Sequence, residues 1–462
     1  MNEPIDLATI INAAFSLRLN KNQLRDVERL FFEIMRREQT TITEIIKKIA
    51  DTTGARRAPA GSRFSILKDA LISRRFPITH KHHAIAPGEV FLSQVRQPLT
   101  HNQPATIPFV PKKIFVERDV RDSDLLKRFR CAFPDTTVQQ VARYADYLEQ
   151  APFHLSGLKE PLVFIVKEKW DFIKPCPCTK GHRSCGYWIF NIGFGCPFDC
   201  SYCFLQQYAN FPGVILPANI DNFFEKFNAS GLASLKKPIR IGTGEFCDSL
   251  ALDSITHYSK NLIPFFSTKN VLFELKTKSN AIANLLTMPA PSNIVISWSL
   301  NPASIAERDE RGAATLAQRL HAAATIQERG WRIGFHFDPI IHSPDWEGLY
   351  QETVRLLYAK LKPPFAWISL GTLRCHRELK NRSETRFPES TIFYGELLLG
   401  TDKKLRYPHH LRKEIYEKMT TWIRVCDTKS PVYLCMEDNE MWRVLGENFT
   451  SNKAVEGYSV GR

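Results

Sequence analysis

No apolar run in this 462-residue chain approaches the roughly 20 residues that a membrane-crossing helix needs. A helical membrane span is therefore excluded. The opening MNEPID is acidic and sets no basic segment ahead of an apolar one, so a secretory leader is not expected. The 11 cysteines are odd in number, and without a leader they are expected to be reduced thiols in the cytoplasm. Short-range metal patterns are also scarce. Cys200 and Cys203 form a C-x-x-C pair, yet no second Cys pair or His pair follows at zinc-knuckle spacing. Phe204 stands where c-type haem attachment needs His. Acidic residues are outnumbered, with 48 Asp plus Glu against 62 Lys plus Arg, a formal net charge of +14. That balance suits a polyanionic partner such as DNA or another nucleic acid. A hydrophobic content of 44% with 24% charge is otherwise that of an ordinary soluble globular protein.

What the chain does have is Cys196, Cys200 and Cys203 at C-x3-C-x2-C, with Tyr202 before the last. Three thiolates on a four-iron cluster leave one iron without a protein ligand, whereas a cluster that only passes electrons is held by four. An open metal position can bind a small molecule directly. This spacing, with an aromatic residue before the third cysteine, is the signature of radical S-adenosylmethionine enzymes. A redox pair or half a zinc site are the competing readings of Cys200 and Cys203 alone.

Residues 1–100 read as a separate basic helical domain. Leu24, Val27, Leu30, Phe31 and Ile34 recur at helical spacing, and Thr41 or Thr43 is placed to cap a following helix. A proline-rich linker runs to about 111. Residues 112–186 read as a small α/β region, 187–446 as a barrel and 447–462 as a tail. From 112 onward apolar strand candidates alternate with helices, at 114–117, 162–167, 187–193, 238–242, 271–276, 293–299, 332–338, 366–371 and 432–436. The fold class expected is α/β, a partial (β/α)6 TIM-like barrel. Chemistry in such a barrel sits at the C-terminal ends of the strands. That rule draws the Cys196 loop, Gly242 to Glu245, Lys278, Asn301, His336, Asp338 and Arg374 to one mouth.

From about 108 to 446 the chain resembles the spore photoproduct lyase family of radical S-adenosylmethionine proteins. The resemblance rests on the shared order of KPCPCT at 174–179, CGY at 185–187, CPFDCSYCFLQ at 196–206, GTGEFCDSL at 242–250, ELKTKS at 274–279, SWSLNP at 297–302, GFHFDP at 334–339, LGTLR at 370–374 and YLCME at 433–437. It implies a radical-type partial barrel, a [4Fe-4S] cluster on Cys196, Cys200 and Cys203, and S-adenosyl-L-methionine as cosubstrate. Gly242, Thr243, Gly244 and Glu245 would meet the amino group of the cosubstrate and Lys278 its carboxylate. Ser299 and Asn301 would contact the ribose or methionine, and Tyr202 the adenine. The reaction implied is lyase-like, on a DNA or other nucleic-acid substrate, with an electron donor such as flavodoxin or ferredoxin and no membrane. A nucleic-acid-binding protein with a sensory or structural cluster is the alternative, and it would not need the cosubstrate residues.

Two departures from the family pattern concern hydrogen return. Glu245 stands where the family places a cysteine, and Phe204 where it places a tyrosine. Cys247, two residues on, is the nearby thiol able to substitute as a catalytic hydrogen donor. Cys176, Cys178 and Cys185 read as packed thiols, with part of a second metal site as the other reading. Arg374–Arg386 and Lys403–Lys413 are basic runs suited to phosphate. A duplex base would have to be flipped out to reach the barrel.

Overall fold

The computed structural model describes residues 7–54, 57–75, 109–150, 161–169, 172–178, 185–208, 213–400 and 402–445. The expected linker, up to 108, and the expected tail lie outside them. The chain divides into two compact units, Met1–Pro104 with Asn381–Thr391, and Ala105–Lys380 with Ile392–Arg462.

The first unit contains the helices Leu7–Phe15, Lys21–Glu38, Ile42–Thr53 and Arg63–Arg75. Asn20 and Thr41 cap the second and third through reciprocal bonds with Gln23 and Glu44, each cap contributing about 1 kcal/mol. The helical repeat read from the sequence faces inward, with Val27, Leu30, Phe31 and Ile34 buried against Ile11, Phe15, Ile45 and Leu67. One charged pair is sealed inside this core: Arg75 Nε lies 2.8 Å from Glu33, both side chains almost inaccessible.

The second unit is built on an open α/β barrel. Seven parallel strands, Tyr187–Phe190, Ile239–Gly242, Val271–Thr277, Ile294–Ser299, Arg332–Ile340, Ile368–Thr372 and Val432–Leu434, lie side by side in chain order. Ile173–Pro175 adds an antiparallel edge beside Tyr187–Phe190. The two edge strands do not pair, so the barrel stays open. Ile294–Ser299 is buried at every position, as expected of a parallel strand covered on both faces. Helices such as Leu316–Glu328 and Trp346–Lys360 connect successive strands.

A second parallel sheet has the order Val138–Val141, Lys113–Glu117, Leu162–Val166, Val214–Pro217. Its last strand lies beyond the Cys196 loop in sequence, so that loop is held between the two sheets. Val138–Val141, Ile173–Pro175 and Val214–Pro217 were not anticipated from the sequence. They are three or four residues long, and two of them contain proline, too little pattern for an alternation to declare itself.

Candidate active site

The Cys196 loop is fixed at several points. Gly195 has φ +84°, and a Cβ there would lie 2.3 Å from the Gly213 carbonyl, so only glycine fits directly before Cys196. Phe194 bonds Ile215 in both directions, at 3.1 and 2.8 Å. Asp199–Cys200 pairs antiparallel with Glu310–Arg311. Ser201 donates its N–H to the Asp309 carbonyl and its hydroxyl to the Asp309 carboxylate, both at 2.8 Å. Gln206 Nε2 donates to the Cys200 and Ser201 carbonyls at 3.0 and 2.9 Å. Cys200 is buried, and Cys196 and Cys203 are half-buried. Burial pushes the Cys196 thiol up, and the neighbouring Asp248, Cys200 and Cys203 add to it. Burial also raises Cys200, to about 12, against the opposing charge of Lys278. Three thiols on one pinned loop, with the Lys278 ammonium beside Cys200 to offset thiolate charge, fit a cluster that keeps one open iron.

Behind the loop lies a buried polar group. Lys278 Nζ is 3.8 Å from Cys200 Sγ, 2.6 Å from the Tyr202 hydroxyl and 3.1 Å from the Glu310 carboxylate. It also lies 4.5 Å from the centre of the Tyr202 ring. Asn301 Nδ2 donates to the Tyr202 hydroxyl at 3.1 Å and to Glu310 at 2.9 Å, while its Oδ1 accepts from Tyr350 at 2.7 Å. Tyr202 also bonds Glu310, and Arg319 pairs with the other Glu310 oxygen. Burial would raise the Glu310 carboxyl, but Arg319 and Lys278 hold it well below the usual carboxylate range. Burial would lower Lys278, but Cys200 and Glu310 keep it above its ordinary value. Ser299 joins through its carbonyl, which accepts from Arg319 Nη1 at 2.9 Å.

The Gly242–Glu245 segment lies one strand over. A Cβ on Gly242 would meet the Tyr187 hydroxyl at 2.1 Å, and one on Gly244 the Lys276 side chain at 2.7 Å. These glycines are thus required by strand packing in their own right. Thr243 is buried and shares a 2.7 Å hydroxyl contact with Ser249. Half-buried Glu245 has its carboxyl raised by burial and faces Lys276, Asp338, Arg374 and Lys174, a group separate from Lys278. Cys247 donates to the Thr243 carbonyl at 3.6 Å and lines a recess with Ile192, Val214, Leu216 and Tyr258. Burial pushes its thiol up to about 12. Asp248 ties the segment to Lys278, accepting from its N–H at 2.7 Å and from the Thr277 hydroxyl at 2.6 Å.

The barrel interior carries a further charged layer. His336 bonds Glu274 at 2.7 Å and Ser369 at 2.6 Å, and Ser297 donates to Glu274 at 2.5 Å. Burial lowers the imidazole, against the opposing charge of Glu274. Although buried, Glu274 is held at about 2 by its contacts with His336, Arg240 and Ser297. Arg374 forms a two-point pair with Asp338 at 2.8 and 3.0 Å.

That last pair changes the view of the basic runs. Arg374 is committed to Asp338, Arg406 to Asp402, Arg412 to Glu437 and Lys413 to Glu417, and Arg386 is buried. Arg377 and Lys403 remain exposed.

Sequence reasoning missed Glu310, Arg319, Tyr350, Asp248, Glu274 and Arg240. For Glu274 and Arg240 a signal was present, since a charged residue in the middle of an apolar strand must face a polar interior. Glu310 and Arg319 lie in a connecting segment and a helix, and nothing in their local pattern points to the Cys196 loop.

An open parallel barrel whose first parallel strand leads into a pinned three-cysteine loop, with a buried cation against the middle thiol, defines the radical S-adenosylmethionine class of enzymes. The chain belongs to the spore photoproduct lyase family, whose model matches residues 161–418. It is 24% identical to the spore photoproduct lyase of Geobacillus sp. (strain Y412MC61) over 306 residues, 63% of this chain and 86% of that one. It is 24% identical to that of Bacillus subtilis (strain 168) over 329 residues, 67% of this chain and 91% of that one. Among solved structures, a spore photoproduct lyase variant with bound S-adenosylmethionine and dinucleoside spore photoproduct matches with TM-score 0.60 at 19% identity, covering 72% of this chain and all of that one. A spore photoproduct lyase complexed with dinucleoside spore photoproduct gives TM-score 0.60 at 18% identity over the same shares.

Proposed function

We propose that this chain is a radical S-adenosylmethionine enzyme of lyase type that acts on a modified base in DNA or a related nucleic acid. The observation that carries the reading is the Lys278 ammonium, held between Cys200 Sγ and Glu310 at the end of its strand. A sensory or structural cluster needs the three cysteines but no such cation.

Cys196, Cys200 and Cys203 would hold the [4Fe-4S] cluster, which when bound supplies the electron that cleaves the sulfonium of S-adenosyl-L-methionine. Lys278 binds the cosubstrate carboxylate, and Glu310 and Tyr202 fix the direction in which its ammonium points. Tyr202 lies against the adenine, and Ser299 and Asn301 contact the ribose or the methionine. Gly242, Thr243, Gly244 and Glu245 form the strand end nearest the amino group, where Glu245 accepts from an ammonium. Cys247 is assigned as hydrogen donor to the substrate, because Glu245 and Phe204 replace the family's cysteine and tyrosine. The setting is cytoplasmic, with a flavodoxin or ferredoxin as donor; among the described residues no helix is long and apolar enough to cross a membrane.

The test is anaerobic reconstitution with iron and sulfide, reduction, and incubation with labelled S-adenosylmethionine and either irradiated or unirradiated DNA. Release of 5′-deoxyadenosine that rises with irradiated DNA supports the reading. Absence of cosubstrate cleavage, or equal cleavage by Cys200→Ala protein, removes it.

A further inference from the structure

Lys276 lies on the strand Val271–Thr277, whose other positions are all buried while it is half-buried. Alternation along a strand sets residues 274, 276 and 278 on one face. Glu274 bonds His336 within the barrel, and Lys278 reaches Cys200 at the mouth. Lys276 therefore stands on the interior face, between the charged layer and the Cys196 loop. Its backbone is fixed there by Ser249. The Lys276 N–H donates to the Ser249 hydroxyl and its carbonyl accepts from the Ser249 N–H, both at 3.1 Å.

The stem of the side chain has a defined course. A Cβ on Gly244 would lie 2.7 Å from Lys276 Cβ and 3.4 Å from its Cε. The lysine thus runs along the strand-end segment Gly242–Glu245, through space that a side chain at 244 would fill.

Among the described residues the ammonium at the end of that stem has no hydrogen-bond or ion-pair partner. By contrast, Lys278 is paired with Glu310, Arg240 with the Tyr433 hydroxyl, Arg319 with Glu310 and Arg374 with Asp338. Glu245 faces Lys276, yet the two form no ion pair. Burial would lower the ammonium, but Glu245, Glu274 and Asp338 raise it. A lysine is protonated at neutral pH already at its ordinary value, so three N–H donors stand ready for an acceptor. Taking an ammonium partly out of water without a partner costs stability, and no protein contact offsets that cost here.

We propose that Lys276 is a substrate-recognition residue that donates to a ring carbonyl oxygen of the base held in the barrel mouth. The proposal rests on the reading of this chain as an enzyme acting on a nucleic-acid base. A base reaches an interior position by being flipped out of the stack, while its phosphates stay outside with the backbone. The acceptor brought to Lys276 is then a base carbonyl. The contact holds the base beside the segment assigned to the cosubstrate.

The test is equilibrium binding, by fluorescence anisotropy, of single-stranded oligonucleotides to the anaerobically reconstituted full chain with S-adenosylmethionine present. One strand carries a single thymine, and an otherwise identical strand carries an abasic site in its place. The wild type should prefer thymine. Lys276→Met should reduce that preference by about tenfold, as expected on loss of a hydrogen bond to a charged group, with the loss confined to the thymine strand. Lys276→Arg keeps the charge and the donors and should retain most of the preference. An unchanged preference in Lys276→Met overturns the proposal, as does a wild type that does not distinguish the strands. So does an equal loss for both strands with a shallower salt dependence, which marks a phosphate contact. Cleavage of S-adenosylmethionine by the same wild-type protein keeps the two readings apart. Without cleavage the enzyme reading fails and this one falls with it. With cleavage and an unchanged preference, only the role of Lys276 fails.

Discussion

The Lys278 ammonium stands 3.1 Å from the Glu310 carboxylate and 3.8 Å from the Cys200 sulfur, so one cation serves both an acid and a thiol. Thirty-two residues separate the lysine from that acid in the chain, yet the pair sets the polarity of the whole candidate site. In the proposed reading, a cosubstrate carboxylate would meet an ammonium already oriented by Glu310 and Tyr202.

Removing that cation is the first test. Lys278→Ala should weaken S-adenosylmethionine binding by about 1.5–3 kcal/mol, the worth of a hydrogen bond to a charged group, while iron content stays constant. Calorimetry on reconstituted protein measures it. Unchanged affinity would place the cosubstrate elsewhere.

Glu310 should matter more for stability than for binding. It neutralises Arg319, which is 1% exposed. Glu310→Gln leaves that guanidinium uncompensated, at a cost of about 3–5 kcal/mol. Denaturant unfolding should show the loss. A midpoint equal to that of the wild type would mean that solvent reaches Arg319.

Acid should destabilise the barrel through its paired carboxylates. Asp338 is half-buried, and Arg374 holds it at about 2, below its ordinary 3.8. A carboxyl lowered on folding contributes stability that is complete above the unfolded value and is lost as pH falls through the folded one. The contribution is on the order of 2 kcal/mol. Stability by circular dichroism should hold down to about pH 4 and fall below it, and Asp338→Asn should flatten that limb. An unchanged acid limb in the variant would show the pair to be solvated.

DNA affinity should fall with salt less steeply than the two basic runs suggest, because Arg374, Arg406, Arg412 and Lys413 are already paired. Arg377→Glu with Lys403→Glu should reduce the slope of log affinity against log salt by about 1 to 2. No change in slope would move the nucleic-acid contact off this surface.

Hydrogen return sets the limit of the family resemblance. With Glu245 and Phe204 in place of cysteine and tyrosine, little clean conversion of spore photoproduct to thymines is expected, although S-adenosylmethionine should still be cleaved. Where conversion occurs, Cys247→Ala should divert it to products quenched by external reductant. Clean conversion by that variant, followed by product analysis, would reassign the donor.

The sequence by itself determined the spacing of Cys196, Cys200 and Cys203, the apolar strands and the strand-end position of Lys278. These are local properties: ligand spacing in one loop, burial of a parallel strand on both faces, and the rule that strand ends face one mouth. It also determined the helical face of Val27, Leu30, Phe31 and Ile34, because a period of 3.6 is visible over a few turns. Only the tertiary structure decided that Glu310 and Arg319 stand behind the cysteine loop, that Val214–Pro217 leaves the barrel for the smaller sheet, and that Arg374, Arg406 and Arg412 are already paired. Each of these depends on segments distant in sequence meeting in space. Charge pairing between such segments leaves no period in the chain, so a run of arginines reads alike whether it faces solvent or a buried carboxylate.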